Sequence, residues 1–412
     1  MLRANAIVGQ SGGPTAAINA TLSGVIRACL DSTDRIGALY GARYGIEGLL
    51  NEELIDLFEQ FSDKAQLRLL ERTPSSVLGS CRIRLPDACE DDSIYKRIFN
   101  IFERYRVRYF FYIGGNDSMD TVSKLNKYSM MNSCNVITIG IPKTVDNDLM
   151  LTDHTPGYGS AAKYVATSVL EILRDCAVYT AKAVTVIEIM GRDAGWLALA
   201  AGLPGYINGH GVDLVYLPER AFSKIEFISS VSSALETHPN VVIAVSEGIR
   251  YADGTYVGDS DNRTDAFGHR YLGGAARALV DIVDRRIGCK TRAIELNLLQ
   301  RCAAHLQSAT DISESIRIGK AAVKAAIKGE GGRMLAFERS SGRYFSKIKT
   351  VNADDVANRV KNVPDEFINK DGNGITRACA EYLLPLISGE IKNEYKNGLP
   401  VYCTIKQRGQ YV

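Results

Sequence analysis

Short apolar runs, most of them β-branched or aromatic, alternate along this chain with longer segments whose apolar residues recur at helical spacing, and glycine-rich turns separate the two. Residues 5–8, 36–40, 107–113, 135–141, 183–189 and 241–245 read as buried strands, with a weaker strand at 334–337. Helical periodicity predicts helices over about 16–30, 92–105, 119–128, 272–286 and 313–328. A further long helix opens at 155–160 and ends near 176, a short one ends at 201, and a glycine-punctuated loop at 40–48 opens another. Strand and helix in regular alternation imply an α/β fold with parallel sheets. Lys290-Thr291-Arg292 leads into an apolar run that ends at Leu299. Beyond residue 330 the pattern weakens; 361–377 is polar, and Asp371-Gly372-Asn373-Gly374 is a loop. No repeat, low-complexity tract or flexible linker divides the chain, so its two halves should pack tightly together.

Composition narrows the class. At 412 residues the chain can build two domains of ordinary size, and 46% apolar with 23% charged residues is usual for a soluble globular protein. Lys and Arg number 49 against 47 Asp and Glu, so no global basic field points to nucleic acid or to an anionic membrane. Any anion site must be local. Nine scattered cysteines form no C-x-x-C pair and have no zinc-like spacing, which fits reduced thiols in a cytoplasmic protein. The first residues do not read as a charged n-region followed by a long apolar stretch, and no apolar window approaches membrane-spanning length, so neither secretion nor membrane spanning is expected.

The candidate chemistry gathers at strand ends, where ligands bind in open parallel sheets. Gly9-Gln10-Ser11-Gly12-Gly13-Pro14-Thr15 joins the first strand to the first helix; it can bring backbone N–H groups to an anion, or serve only close packing. The same stretch matches G-x-S-x-G with Ser11 as a hydrolase nucleophile, but only ten residues precede Ser11, too few for an earlier strand to supply an oxyanion-hole loop. Arg82 ends a Gly/Ser-rich loop, and is either a solvated charge or a bidentate phosphate contact. Gly114-Gly115-Asn116-Asp117-Ser118 follows the next strand; Asn116 and Asp117 bind a hydrated Mg²⁺ or cap the helix. Pro142-Lys143-Thr144-Val145-Asp146-Asn147-Asp148 presents a cation, a hydroxyl and two carboxylates past the strand at 135–141. Gly191-Arg192 and Glu247 stand at two further strand ends, Glu247 as a site carboxylate or a helix cap. Together these turns describe a cleft for anions.

The ordered set G-G-P-T (Gly12 to Thr15), L-G-S-C-R (Leu78 to Arg82), G-G-N-D-S, P-K-T-V-D-N-D, M-G-R (Met190 to Arg192), S-E-G (Ser246 to Gly248) and Q-R (Gln300, Arg301) resembles the 6-phosphofructokinase family over roughly residues 4 to 330. The resemblance implies two doubly wound, Rossmann-like α/β domains with interleaved chain. It expects 1–156 with roughly 301–340 to hold the phosphoryl donor and 157–300 to hold fructose 6-phosphate, and leaves 341–412 unassigned. Members that use ATP have glycine at two variable positions, occupied here by Asp117 and Lys143, as in members that use diphosphate. The implied reaction is diphosphate-dependent, Mg²⁺-assisted phosphorylation of fructose 6-phosphate at its 1-hydroxyl, giving fructose 1,6-bisphosphate and phosphate. An ATP-dependent kinase with a remodelled donor site is the alternative.

By the same resemblance Asp146 is the catalytic base, ionised and needing position more than tuning. Lys143 stabilises the transferring phosphate, and Asp117 excludes ATP. Gly12, Gly13 and Arg82 bind diphosphate, and Asn116 holds the metal. Thr144, Asp146, Met190, Gly191, Arg192, Glu247, Arg292, Leu298, Gln300 and Arg301 contact the sugar phosphate. An arginine for the 6-phosphate can come from a neighbouring subunit, which implies a homodimer or homotetramer. Three positions depart from the family pattern: Asn116 replaces an aspartate, Leu298 a His or Tyr, and Ala183, beside Lys182, an arginine.

Overall fold

A computed structural model describes residues 3–258 and 273–405. The chain builds two sheets. The first contains β1 (Ala4–Gln10), β2 (Ile36–Ala42), β3 (Leu54–Asp56), β4 (Val107–Gly114) and β5 (Ile137–Pro142). The second contains β6 (Ala183–Ile189), β7 (Leu214–Tyr216), β8 (Asn240–Ser246) and β9 (Lys290–Glu295), in the order β7-β8-β6-β9, parallel throughout. The chain then returns to the first sheet with β10 (Arg333–Arg339) and β11 (Ser346–Asn352), completing the order β11-β10-β5-β4-β1-β2-β3.

The expected doubly wound parallel arrangement holds at the centre of both sheets, and the two edges of the first differ from it. There β3 runs antiparallel to β2, and β11 runs antiparallel to β10. Reversed edge strands are common on otherwise parallel sheets. Central strands are near-continuous apolar runs; Phe110, Phe111, Tyr112 and Ile113 of β4 are all buried because helices cover both faces. The helices Ile18–Leu30 and Ala309–Lys328, far apart in sequence, lie against each other on one such face.

Several boundaries move from the sequence reading. The helix expected at 119–128 runs Asn116–Met131, with Gly115 as its N-cap and no side-chain cap, so Asn116 and Asp117 form its first turn. The apolar run after Arg292 is β9 followed by a short 3₁₀ turn, Asn297–Arg301. The start of the helix expected from 272 lies outside the described residues, and the rest is Ala275–Arg286. Described residues past 341, left unassigned by the sequence, pack into both cores. Val363, Phe367, Ile368, Ala380 and Leu383 enter the core around the long helix Tyr158–Cys176, while Cys403 and Ile405 enter that of the first sheet.

Among the described residues no helix is long and apolar enough to cross a membrane. All nine cysteines are free.

Candidate active site

The carboxyl ends of β1, β4 and β5 in the first sheet face those of β6 and β8 in the second across a cleft of roughly 410 Å³. Gly12, Gly13, Arg82, Asn116, Asp117, Lys143, Thr144, Asp146, Met190, Arg192, Glu247 and Arg301 line it together. Residues separated by almost 300 positions meet because most sit in the turn after a strand, with Asn116 and Asp117 in the first turn of the helix that follows β4 and Arg301 in the short 3₁₀ turn after β9.

Lys143 is buried, 2% exposed. Its Nζ donates to the carbonyls of Ser11 at 2.8 Å and Gly13 at 2.6 Å, which locks the lysine under the glycine turn. Burial, reinforced by Arg301 and Arg82 and opposed by Asp146 and Asp148, brings its pKa down to about 7. On the far side of the same turn, a Cβ at Gly13 would lie 3.0 Å from Arg301 Nη1, so the glycine lets this guanidinium approach the backbone.

The two aspartates of β5's turn differ in their surroundings. Asp146 keeps its backbone N–H on Thr144 Oγ1 at 3.1 Å. Burial raises its pKa against the pull of Arg192 and Arg301, so the carboxylate is tuned upward and is not the unperturbed group expected from sequence. Asp148 is raised to about 7 by burial and then by the like charge of Asp146. Among the described residues its Oδ1 is buried without a hydrogen-bond partner, so this oxygen is not spent on holding the turn. Across the cleft Glu247 is likewise raised to about 7, by burial and then by Asp146. Its Oε1 accepts the Gly191 N–H at 3.3 Å, and Ser246 Oγ donates to the Gly191 carbonyl at 2.5 Å. The glycine of S-E-G is needed for approach, since a Cβ on Gly248 would lie 1.9 Å from the Arg192 carbonyl oxygen.

Some expected residues are placed otherwise. The amide of Asn116 is engaged at both ends by the C-terminal part of the chain: its Nδ2 donates to the Arg359 carbonyl and its Oδ1 accepts the Asn358 N–H. Both ends of the amide expected to hold the metal are thus bonded to the chain itself. Gln300 is buried and braces the turn: its Oε1 accepts the Met190 N–H and its Nε2 donates to the Asn297 carbonyl, both at 3.1 Å. Leu298 is 55% exposed and is not among the residues that line the cleft. Arg292 is also outside it, on β9, where it pairs with Asp175 at 3.4 Å. Lys182 is exposed beside the amino end of β6, the end away from the cleft. Ser11 Oγ is tied to Ser118 Oγ at 2.5 Å and to the Ile113 carbonyl at 3.2 Å, and among the described residues no histidine bonds it, which speaks against the hydrolase reading.

Sequence reasoning missed Asn358 and Val360, which close one end of the cleft, and Asp193, which pairs with Arg250 at 2.6 Å on its rim. Proximity to an M-G-R turn could have flagged Asp193. Nothing local flags the other two.

The phosphofructokinase family model matches residues 5–326. The chain belongs to the phosphofructokinase family. It is 44% identical to the pyrophosphate–fructose 6-phosphate 1-phosphotransferase of Halomonas elongata, over 97% of this chain and 96% of that one. The enzyme of the same name from Methylococcus capsulatus is 42% identical, over 98% and 96%. Among solved structures, the pyrophosphate-dependent phosphofructokinase of Nitrosospira multiformis superposes with a TM-score of 0.89 at 38% identity, covering 99% of this chain and 97% of that one. The matched family core ends before β10, so β10, β11 and everything after them lie beyond the part that the family model matches.

Proposed function

We infer that this phosphofructokinase transfers a phosphoryl group from diphosphate to the 1-hydroxyl of fructose 6-phosphate, giving fructose 1,6-bisphosphate and phosphate, a reversible step of glycolysis in the cytoplasm. The observation that carries the reading is that Asp117 and Lys143 line one end of the same cleft. A carboxylate in the first turn of the helix Asn116–Met131 fills space and adds like charge where a nucleotide's α-phosphate would lie, while the smaller donor is accommodated. The lysine beneath the glycine turn meets the donor's oxygens as charge moves onto the leaving phosphate.

Asp146 accepts the proton of the sugar's 1-hydroxyl as that oxygen attacks phosphorus in line. Its raised pKa brings it closer to the working pH of a general base. Thr144 positions Asp146 through its backbone N–H, and Gly12, Gly13 and Arg82 hold diphosphate. Met190, Arg192, Glu247 and Arg301 hold the sugar phosphate, with Gly191 orienting Glu247 and Gln300 orienting Met190. Arg292, exposed and outside this cleft, completes the 6-phosphate site of a neighbouring subunit in a homodimer or homotetramer.

Among the described residues no group of three or more His, Cys, Asp or Glu side chains is arranged to hold an ion alone. Mg²⁺ needs only one or two carboxylates when substrate phosphates supply the rest, and Asp148, with its unpartnered buried Oδ1 in the cleft, fits that role in place of Asn116. The chemistry it supplies is neutralisation of charge across the donor oxygens.

The test is a coupled assay with fructose 6-phosphate and Mg²⁺ that compares diphosphate with ATP. Turnover with diphosphate and little with ATP is expected. A strong ATP preference would overturn the donor assignment.

A further inference from the structure

Residues 354–363 cross the mouth of the cleft and are fastened along both sides. On the donor side, four side chains of one helix hold them. Asn116, Asp120, Ser123 and Lys127 follow the spacing i, i+4, i+7 and i+11, which aligns them on a single face. Asn116 bonds the backbone of Asn358 and Arg359; Asp120 accepts from Asn358 Nδ2 at 3.2 Å; Ser123 and Lys127 donate to Asp354 Oδ1 at 2.9 and 2.6 Å. On the opposite side the Lys361 N–H donates to the Asp148 carbonyl at 2.7 Å, Trp196 Nε1 donates to the Lys361 carbonyl at 2.8 Å, and the Val363 N–H donates to Glu219 at 3.0 Å. The Lys361 side chain is partly buried, donating to the carbonyls of Thr152 at 3.1 Å and Asp153 at 2.8 Å.

Between these anchors Asn358 and Val360 line the cleft on the same side as Asn116 and Asp117. Asn358 also reaches Arg84, two residues past Arg82, at 3.5 Å. On the donor reading, a group attached to the donor's second phosphate would lie near Asp117, and Asn358 and Val360 line the same cleft.

We propose that the 354–361 crossing is a second wall that limits the donor to diphosphate, adding volume to the space and charge that Asp117 supplies, and that Asn116 is the positioning residue that holds this wall in place. The proposal rests on the donor reading given above. It deepens that reading by placing part of the specificity outside the matched family core, in a segment carried on the face of the helix that bears Asp117. It follows that removing the Asp117 carboxylate alone does not open the site to longer donors.

The experiment measures kcat/KM for diphosphate, tripolyphosphate and ATP in the intact enzyme, in Asp117→Gly, in Asn358→Gly/Val360→Ala, and in the combination of all three. Asn358 has φ +59°, a conformation glycine adopts at no cost, so its replacement removes the side chain without straining the crossing. Asp117→Gly alone is expected to raise ATP use less than about tenfold, and the combined variant at least about 100-fold beyond that. Tripolyphosphate, longer than diphosphate but without a nucleoside, is expected to gain in the crossing variant even with Asp117 in place. Retained diphosphate turnover shows in each case that the chain has folded. A combined variant within about threefold of Asp117→Gly for ATP would overturn the proposal. So would a crossing variant that loses more than about tenfold in diphosphate turnover and gains no longer donor, because the segment would then be a support. An intact enzyme that prefers ATP would instead fail the donor reading itself.

Discussion

Replacing Lys143 by methionine should flatten the pH dependence of diphosphate binding. Burial and then Arg301 bring Lys143 down to about 7 in the free chain, so near pH 7 about half the molecules carry a neutral amine. An arriving polyanion favours the ammonium and raises that pKa. The bound state therefore holds more protons than the free one, and affinity falls as pH rises above about 7 until the bound-state pKa is passed. The protonated fraction of the free lysine is about 0.9 at pH 6 and about 0.09 at pH 8, so the apparent Kd should rise about tenfold across that interval through this residue alone. Diphosphate, Asp148 and Glu247 titrate in the same range, both carboxylates standing at about 7. The quantity to read is thus the ratio of the variant's Kd to that of the unaltered enzyme, measured by calorimetry at fixed Mg²⁺, which removes what the two share. Methionine keeps the unbranched stem and fills the buried space. The ratio is expected to be largest at pH 6 and to shrink about tenfold by pH 8. A ratio constant within about twofold across the range refutes the assignment of Lys143 as the charge that meets the donor.

Asp146→Ala should lower kcat by roughly 10² to 10⁴ with little change in substrate affinity, read by steady-state kinetics; near-normal kcat would remove Asp146 as the base. Gly248→Ala puts a Cβ 1.9 Å from the Arg192 carbonyl, and displacing that turn should cut kcat/KM for fructose 6-phosphate by at least about tenfold while the affinity for diphosphate holds; equal losses for both would show a general defect. His154 is buried between Asp153 and Glu314, at 2.7 Å from each; its pKa is moved by burial, which lowers it, and more strongly by the two carboxylates, which raise it overall. Its contribution is complete below the unfolded value near ~6.5 and is lost as pH rises through the raised folded value. Asp153, lowered to about 2, and Glu314, also lowered, contribute above their unfolded values near ~4 and lose this on acidification. His154→Ala should therefore cost roughly 3–5 kcal/mol in urea unfolding near pH 6 and less at pH 9, and an equal cost at both would refute the ion-pair account.

The strand ends were legible because chemistry and folding use the same residues there. A glycine turn after an apolar run marks a boundary, and Lys143, Asp146 or Arg192 in that turn marks a ligand edge. What escaped was short or distant. β3 and β7 are three residues each, too short for alternation to register. β11 reads Ser-Lys-Ile-Lys-Thr-Val-Asn, an edge strand whose lysines blunt its apolar signal. The helix Lys224–Thr237 did carry one, in Phe227, Val231 and Leu235 at helical spacing, and it was passed over. Asn116 is the instructive case. Its place in G-G-N-D-S pointed to metal and gave no sign of its hydrogen-bond partners, which are more than 240 residues away, and no local pattern encodes a contact of that range.

The electrostatics of the cleft favour lysine over arginine at position 143. The site brings Arg82, Arg192 and Arg301 into one cleft with Asp146, Asp148 and Glu247, and each set draws on both halves of the chain. When the cleft is empty, an additional fixed cation buried under the Ser11 and Gly13 carbonyls would add repulsion from Arg301 and Arg82 that the raised carboxylates only partly offset. A lysine can shed its proton in that state and regain it when a polyanion arrives, whereas a guanidinium stays charged throughout. Lysine therefore lets the glycine turn stay folded without ligand and still present a full charge to diphosphate, which ties the electrostatics of the donor end to its occupancy.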